Sequence, residues 1–246
     1  MPQPRMVLTR TSHPGNIGAS ARAMKNMGLN RLSLVDPLQF PSAEATARAS
    51  GADDLLAAVE QFASLGQAVA DCVLVIGASA RVRSLPVPLL NPRQCAEMIS
   101  QQQNSHQVAL VFGNERTGLN NTELDLCHYL VQIPTNPDYS SLNLAAAVQV
   151  LSYELRMATT DIGSVSASAQ MAENQLASTA EVERFYEHLE ATLIEIDFLN
   201  PAQPKQLMRR LRRLFGRSRL DQNEVNILRG ILTAAVKAMA SNQRQS

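Results

Sequence analysis

Twice between residues 108 and 147 the chain runs through a short, largely apolar block and then stops at residues suited to open backbone. The first block, 108–112 (VALVF), ends at Gly113-Asn114, and the second, 129–133 (YLVQI), ends at Pro134-Thr135-Asn136-Pro137. Blocks of this length, rich in β-branched and aliphatic residues and closed by Gly or Pro, are the pattern of buried parallel strands. Parallel strands need long crossovers, so the pattern points to an α/β architecture. Ligands in such sheets gather at the carboxyl ends of strands, so loops 113–119 and 134–142 are expected to face one pocket. Ser140 and Ser141 precede the apolar-periodic Leu142, Leu144, Ala145, Val148, Leu151 and Leu155. A serine there is expected to cap a helix reaching about Met157.

The preceding residues follow the same grammar. Residues 6–9 read as a first strand, 11–18 (TSHPGNIG) as its loop, and 17–27 as a helix stopped by Gly28. Gly15 and Gly18 read as points of close backbone approach. A second strand is expected at 32–35, two surface helices broken near Gly51 and Gly66 within 42–70, and a third parallel strand at 72–76 (CVLVI). That strand ends in Gly77-Ala78-Ser79-Ala80, small enough for a flat ligand to come close. Arg81 and Arg83 follow; arginines after a strand end are often merely solvated, but guanidinium matches phosphate geometry, which makes these two candidate phosphate clamps. The alternation predicts a mostly parallel sheet with helices on both faces over residues 1–158.

Residues 159–178 are dominated by Ser, Thr, Ala and Gln and read as a flexible linker. Beyond them, 179–246 is expected to form a small helical extension, with Thr179 as first cap. Its middle helix carries Lys205, Arg209, Arg210, Arg212, Arg213, Arg217 and Arg219 with no acidic residue among them. Leu207, Leu211, Leu214 and Phe215 are expected to face inward and the arginines outward. A charge run is usually a solvated face. In a chain with 22 basic and 22 acidic residues, however, a single-signed cluster favours binding to a phosphate backbone.

Other classes are disfavoured. No apolar run approaches membrane-spanning length, and residues 1–5 lead straight into Met6-Val7-Leu8 without a signal-peptide core, so a cytoplasmic location is expected. Cys72, Cys95 and Cys127 are odd in number and far apart, which favours reduced, buried thiols. The four histidines are scattered, and no metal is expected. Gly-x-Gly-x-x-Gly is absent after the first strand, which disfavours an ordinary dinucleotide site.

Three motifs carry a resemblance. Phe112-Gly113-x-Glu115-x-x-Gly118-Leu119, together with Ile133-Pro134 and Ser140-Ser141-Leu142-Asn143, resembles the second and third motifs of the SPOUT methyltransferases, SpoU (TrmH) branch. Asn16-x-Gly18-x-x-x-Arg22 resembles the first. The stretches TSHPGNIGASARAMKNMGL, SARVRSLP, NPDYSSLNLA, RFYEHLEATL, LRRLF and NILRGIL extend the likeness over nearly the whole chain, to the bacterial TrmJ-type tRNA (cytidine/uridine-2′-O-)methyltransferases. The resemblance implies a C-terminal trefoil knot and methylation of a tRNA ribose 2′-hydroxyl by S-adenosylmethionine, at the first nucleotide of the anticodon loop. It also implies a homodimer whose paired domains complete the RNA surface. By the same resemblance Ala78, Ser79, Ala80, Gly113, Ile133, Ser140, Ser141 and Leu142 hold the cofactor, largely through main-chain groups. Arg22 matches the catalytic arginine; as base or as electrostatic clamp, its role is left open, since guanidinium stays protonated in proteins. Asn16 and Ser141 match substrate-orienting positions. Glu115 is expected to pair with Arg22 or Asn16, or to brace its loop. Two rivals are a ribosomal-RNA 2′-O-methyltransferase of the same superfamily and a non-catalytic RNA-binding factor. Relatives of the first kind more often carry an extension ahead of the catalytic domain, and none fits before Met6. Intact Asn16, Arg22, Glu115, Ser141 and Asn143 argue against the second.

Overall fold

β1 (Arg5–Thr9) is buried along its whole length, and the rest of the first unit is layered around it. The computed structural model describes residues 3–80, 87–102, 107–160, 176–203 and 205–243. After β1 come α1 (Pro14–Asn26), β2 (Leu32–Val35), α2 (Ala43–Ala49), α3 (Asp53–Ala57), β3 (Glu60–Phe62) and α4 (Leu65–Ala68). Then follow β4 (Cys72–Ala78), β5 (Leu89–Leu90), α5 (Pro92–Ser100), β6 (Gln107–Phe112), α6 (Asn121–Asp125), β7 (Tyr129–Val131) and α7 (Leu144–Thr160). The second unit contains α8 (Thr179–Glu195), α9 (Leu207–Gly216) and α10 (Gln222–Gln243). The chain divides into compact units Met1–Ser168 and Ala169–Ser246.

The seven strands form one sheet in the order β3-β2-β1-β6-β4-β7-β5, and every neighbouring pair is parallel. One face is a core of Val7, Val75, Ala109, Val111 and Leu130, closed by Leu65 and Val69 around α4 and by Leu124 of α6. Met6, Leu8, Leu74, Ile76 and Leu110 alternate to the other face and are completely buried. Their burial requires cover there, which the mutually packed α1, α5 and α7 supply.

Several expectations are corrected in detail. α1 begins at Pro14, so Pro14, Gly15 and Asn16 are helical rather than loop; proline at the first turn loses no intrahelical bond and starts the helix early. The close approach at Gly18 is to a helix: a Cβ there would lie 1.9 Å from the Ala45 carbonyl oxygen. Residues 42–70 hold an edge strand, β3, between helices. Its sequence, EQF, is polar and outlying, so no alternation marks it. β5 is only two residues long and equally silent. Neither Ser140 nor Ser141 caps α7. The Asn143 side-chain oxygen does, accepting from the Ala145 and Ala146 amides at 2.9 and 3.3 Å. In the second unit Ser178, not Thr179, caps α8, through a box with Glu181. Residues 159 and 160 continue α7, and Leu176 is bridged to Asp221, so the linker reading is left with residues 161–175, outside the described residues. Arg81 and Arg83 also lie outside them.

The second unit buries Phe185, Tyr186, Leu189 and Val225 as one cluster, with Phe215 edge-on to Phe185 at 5.0 Å. All three cysteines are buried and none is in a disulfide. Among the described residues no helix is long and apolar enough to cross a membrane, and no group of His, Cys, Asp and Glu is placed to hold a metal ion.

Candidate active site

Because β4, β6 and β7 are parallel neighbours, their carboxyl ends open side by side, and the chain leaving them encloses one cleft. Ala78, Ser79 and Ala80 line it from β4, Gly113 from β6, Ile133 from beyond β7, and Ser140, Ser141 and Leu142 from the segment leading to α7. All eight sequence-predicted cofactor residues therefore share one cleft. Its floor is apolar, formed by Phe112, Leu119, Val131 and Leu144. Gly77 is not part of it: a Cβ there would crowd Leu119, Cys127 and Leu130 in the core, so this glycine serves packing rather than a ligand.

The 113–119 loop is folded back on itself. The Gly118 amide donates to the Asn114 carbonyl at 2.8 Å, and Gly118 has φ +66°, where glycine carries no steric cost. A Cβ on Gly113 would sit 2.2 Å from the Gly118 carbonyl carbon, so only glycine allows the two arms to touch. Asn114 donates from its side chain to the Arg10 carbonyl at 2.7 Å. The Arg10 guanidinium donates to the Gly118 carbonyl at 3.1 Å and grips both oxygens of buried Glu123 at 3.2 and 2.8 Å. Arg10 itself is held at φ +50° at the end of β1. This clamp joins residues 113 positions apart, and nothing in the sequence announces it.

Glu115 is the second tie. Its Oε2 accepts from the Ser12 amide at 3.0 Å and the Ser12 hydroxyl at 2.8 Å. Its Oε1 accepts from the His13 amide at 3.3 Å and Asn16 Nδ2 at 2.9 Å. Partial burial works against the charged form, but the bonds from Asn16 and Ser12 outweigh it and hold the carboxyl below the usual carboxylate range. Asn16 Oδ1 in turn accepts from Asn143 Nδ2 at 3.0 Å, and Asn143 caps α7. One chain of hydrogen bonds thus connects all three motifs, from Glu115 through Asn16 to Asn143. Of the partners expected for Glu115, Asn16 is found and Arg22 takes no part. Arg22 is exposed on α1, outside the cleft lining. Asn143 and Arg10 were not among the predicted site residues.

The basic segment of the second unit divides by environment. Lys205, Arg210 and Arg217 are exposed, whereas Arg209, Arg212 and Arg213 are half-buried. Arg212 is built into the bundle: it bonds to Glu183 at 2.5 Å and lies 4.5 Å above the Tyr186 ring, whose hydroxyl donates to the Arg212 carbonyl at 2.9 Å. Leu214, expected inside, is half exposed, so the inward-leucine, outward-arginine division does not hold along α9.

Residues 3–153 match the SpoU rRNA methylase family, and residues 180–245 match the C-terminal domain of the tRNA methyltransferase TrmJ. The chain is 52% identical over 241 residues to the tRNA (cytidine/uridine/adenosine-2′-O-)-methyltransferase TrmJ of Pseudomonas aeruginosa (strain UCBPP-PA14), covering 95% of this chain and 93% of that protein. It is 50% identical over 233 residues to the tRNA (cytidine/uridine-2′-O-)-methyltransferase TrmJ of Pectobacterium atrosepticum, covering 95% and 96%. The crystal structure of TrmJ from Z. mobilis ZM4 superposes with a TM-score of 0.82 at 34% identity, covering 94% of this chain and 98% of that one.

Proposed function

Since the chain belongs to the SpoU rRNA methylase family, and within it to the TrmJ tRNA methyltransferases, we propose that it methylates a ribose 2′-hydroxyl of tRNA with S-adenosylmethionine. The target in this reading is the first nucleotide of the anticodon loop, carrying cytidine or uridine, with other bases tolerated. The convergence of Ala78, Ser79, Ala80, Gly113, Ile133, Ser140, Ser141 and Leu142 on one cleft carries the proposal. The family core is named for ribosomal RNA, but the match of residues 180–245 favours tRNA.

The cleft suits the cofactor's chemistry. The apolar floor would suit a flat purine, while Ser79, Ser140, Ser141 and loop main chain would supply polar contacts to the rest of the cofactor. When bound, S-adenosylmethionine supplies an electrophilic methyl on sulfur, so the protein's task is orientation and charge stabilisation. Glu115, Asn16 and Asn143 fix the loops of the three motifs relative to one another before RNA arrives. Ser141 is exposed and lines the cleft, and in this reading it orients the incoming hydroxyl. Arg22, exposed on α1, holds the adjacent phosphate or the developing alkoxide in this reading, a role that a permanently charged guanidinium can fill.

A homodimer belongs to the same reading. On α7 the half-buried Val150 and the exposed Tyr153 and Met157 form an apolar stripe open to a second copy. The trefoil knot does too, supported by β4 lying between β6 and β7 while their loops share one cleft. Exposed Lys205, Arg210 and Arg217 are assigned to the tRNA backbone, with half-buried Arg209 and Arg213 beside them. The test is transfer of labelled methyl from S-adenosylmethionine to an unmodified tRNA transcript, with mapping of the modified nucleotide. Methylation at the first anticodon-loop ribose is expected, and Arg22→Ala is expected to abolish it with cofactor binding kept. Absence of transfer to tRNA alongside transfer to ribosomal RNA would overturn the substrate assignment.

A further inference from the structure

Ribose methylation leaves one part of the target nucleotide unaccounted for. With the sugar turned into the cleft, the base is unstacked from its neighbours and its flat face needs a surface. The rim of the cleft offers one. Tyr139, directly before Ser140, is 82% exposed, the most exposed large apolar side chain among the described residues. The chain is poor in aromatics, with six Phe, four Tyr and no Trp, and the aromatic that lines the cleft, Phe112, is buried in its floor.

The loop that carries Tyr139 is held in shape from within. The Tyr139 amide donates to the Asn136 carbonyl at 3.0 Å, and the Asp138 amide donates to Asn136 Oδ1 at 3.0 Å. Thr135 Oγ1 donates to the Ser140 carbonyl at 3.2 Å. The turn therefore fixes the backbone on both sides of Tyr139 while its ring stays in solvent. An exposed apolar ring on a braced loop, one residue from the cleft lining, has the properties of a stacking platform.

We infer that Tyr139 stacks on the base of the nucleotide whose ribose is methylated, and that it holds that base without reading its identity. The inference rests on the methyltransferase reading above. Stacking uses the π face that every base presents, so one such residue accepts pyrimidines and purines alike, whereas side chains bonded to a base edge would discriminate.

The experiment compares the full-length protein with Tyr139→Ala, Tyr139→Leu and Tyr139→Phe on tRNA bearing either an intact target nucleotide or an abasic ribose with its 2′-hydroxyl retained. Tyr139→Ala is expected to lower kcat/KM for intact tRNA by about tenfold or more, as loss of one aromatic–base stack does elsewhere. The defect should fall mainly in KM for tRNA. Tyr139→Phe should restore activity, and Tyr139→Leu, apolar but without a ring, should not. On the abasic target, wild type and Tyr139→Ala should converge, because the partner of the ring is gone. Binding of S-adenosylhomocysteine and the oligomeric state should be unchanged in all variants. Full activity in Tyr139→Leu, an undiminished Tyr139→Ala defect on the abasic target, or a changed oligomeric state would each overturn the stacking role. A wild-type protein that transfers no methyl to any RNA would instead overturn the methyltransferase reading.

Discussion

Glu115→Gln is the most direct test of how the site is held together. The substitution keeps shape and removes charge. One carboxylate oxygen survives as the amide oxygen and retains its two donors, but the amide nitrogen is turned toward the other two. The Ser12 hydroxyl can rotate to accept from that nitrogen, whereas the His13 amide and Asn16 Nδ2 can only donate, so the amide settles with its nitrogen toward Ser12 and strands one donor, the Ser12 amide. A donor left without its partner costs about 1–3 kcal/mol, and the partial exposure of this site puts it at the low end. One such donor gives about 1 kcal/mol, roughly a fivefold shift in the local opening equilibrium. Amide hydrogen exchange at Ser12 and His13, corrected for intrinsic rates, should accelerate by that factor at neutral pH, while the α8–α10 unit is unaffected. The wild-type tie also has a pH signature. Because the folded-state pKa of Glu115 is depressed, the stabilisation is present above the ordinary carboxylate range and disappears as pH falls through the lowered value. Wild type and Glu115→Gln should therefore converge in acid. Unchanged exchange at neutral pH, or a difference that persists undiminished in acid, would refute the assignment of Glu115 as the tie between the first two motifs.

The packing and the charges set further outcomes. Gly18→Ala forces a Cβ onto the Ala45 carbonyl and should lower the stability of the catalytic unit by about 2–3 kcal/mol in urea unfolding, since the helix backbone must move. Gly113→Ala should leave the sheet intact and weaken S-adenosylhomocysteine binding by at least about tenfold in calorimetry, because it pries apart the loop lining the cleft. Burial pushes the Cys72, Cys95 and Cys127 thiols up to about 12, so no cysteine should react with a thiol reagent at pH 8 until the chain unfolds. Arg210→Ala with Arg217→Ala should weaken tRNA binding and flatten its salt dependence without changing thermal stability. Arg212→Ala should instead destabilise the helical unit by about 1–3 kcal/mol, having removed an ion pair and a cation–π contact.

Most of the sheet was legible because buried parallel strands advertise themselves as continuous apolar runs. Residues 6–9, 32–35, 72–76 and 108–112 were found within one or two positions of their observed ends. β3 and β5 were missed because a short, polar or two-residue edge strand is defined by its neighbour's hydrogen bonds and not by its own pattern. Caps behaved similarly: Ser140, Ser141 and Thr179 were reasonable candidates by type, but Asn143 and Ser178 hold the geometry.

Residue types and order determined by themselves that this is a parallel α/β chain with a basic helical extension, and the resemblance carried by its motifs supplied the eight residues that share the cleft. Tertiary structure alone decided what the polar residues around that cleft do. It showed that what Gly15 and Gly18 approach closely is α2, tied Glu115 to Ser12 and Asn16 rather than Arg22, and placed Arg10 against Glu123 across 113 residues of sequence. It also divided a uniform row of arginines into Arg212, which holds the bundle, and Arg210 and Arg217, which face solvent. Apolar burial depends on periodicity, which is local and can be read along a chain. A hydrogen bond depends on two groups meeting within about 3 Å at a suitable angle, and that distance exists only once the chain has folded.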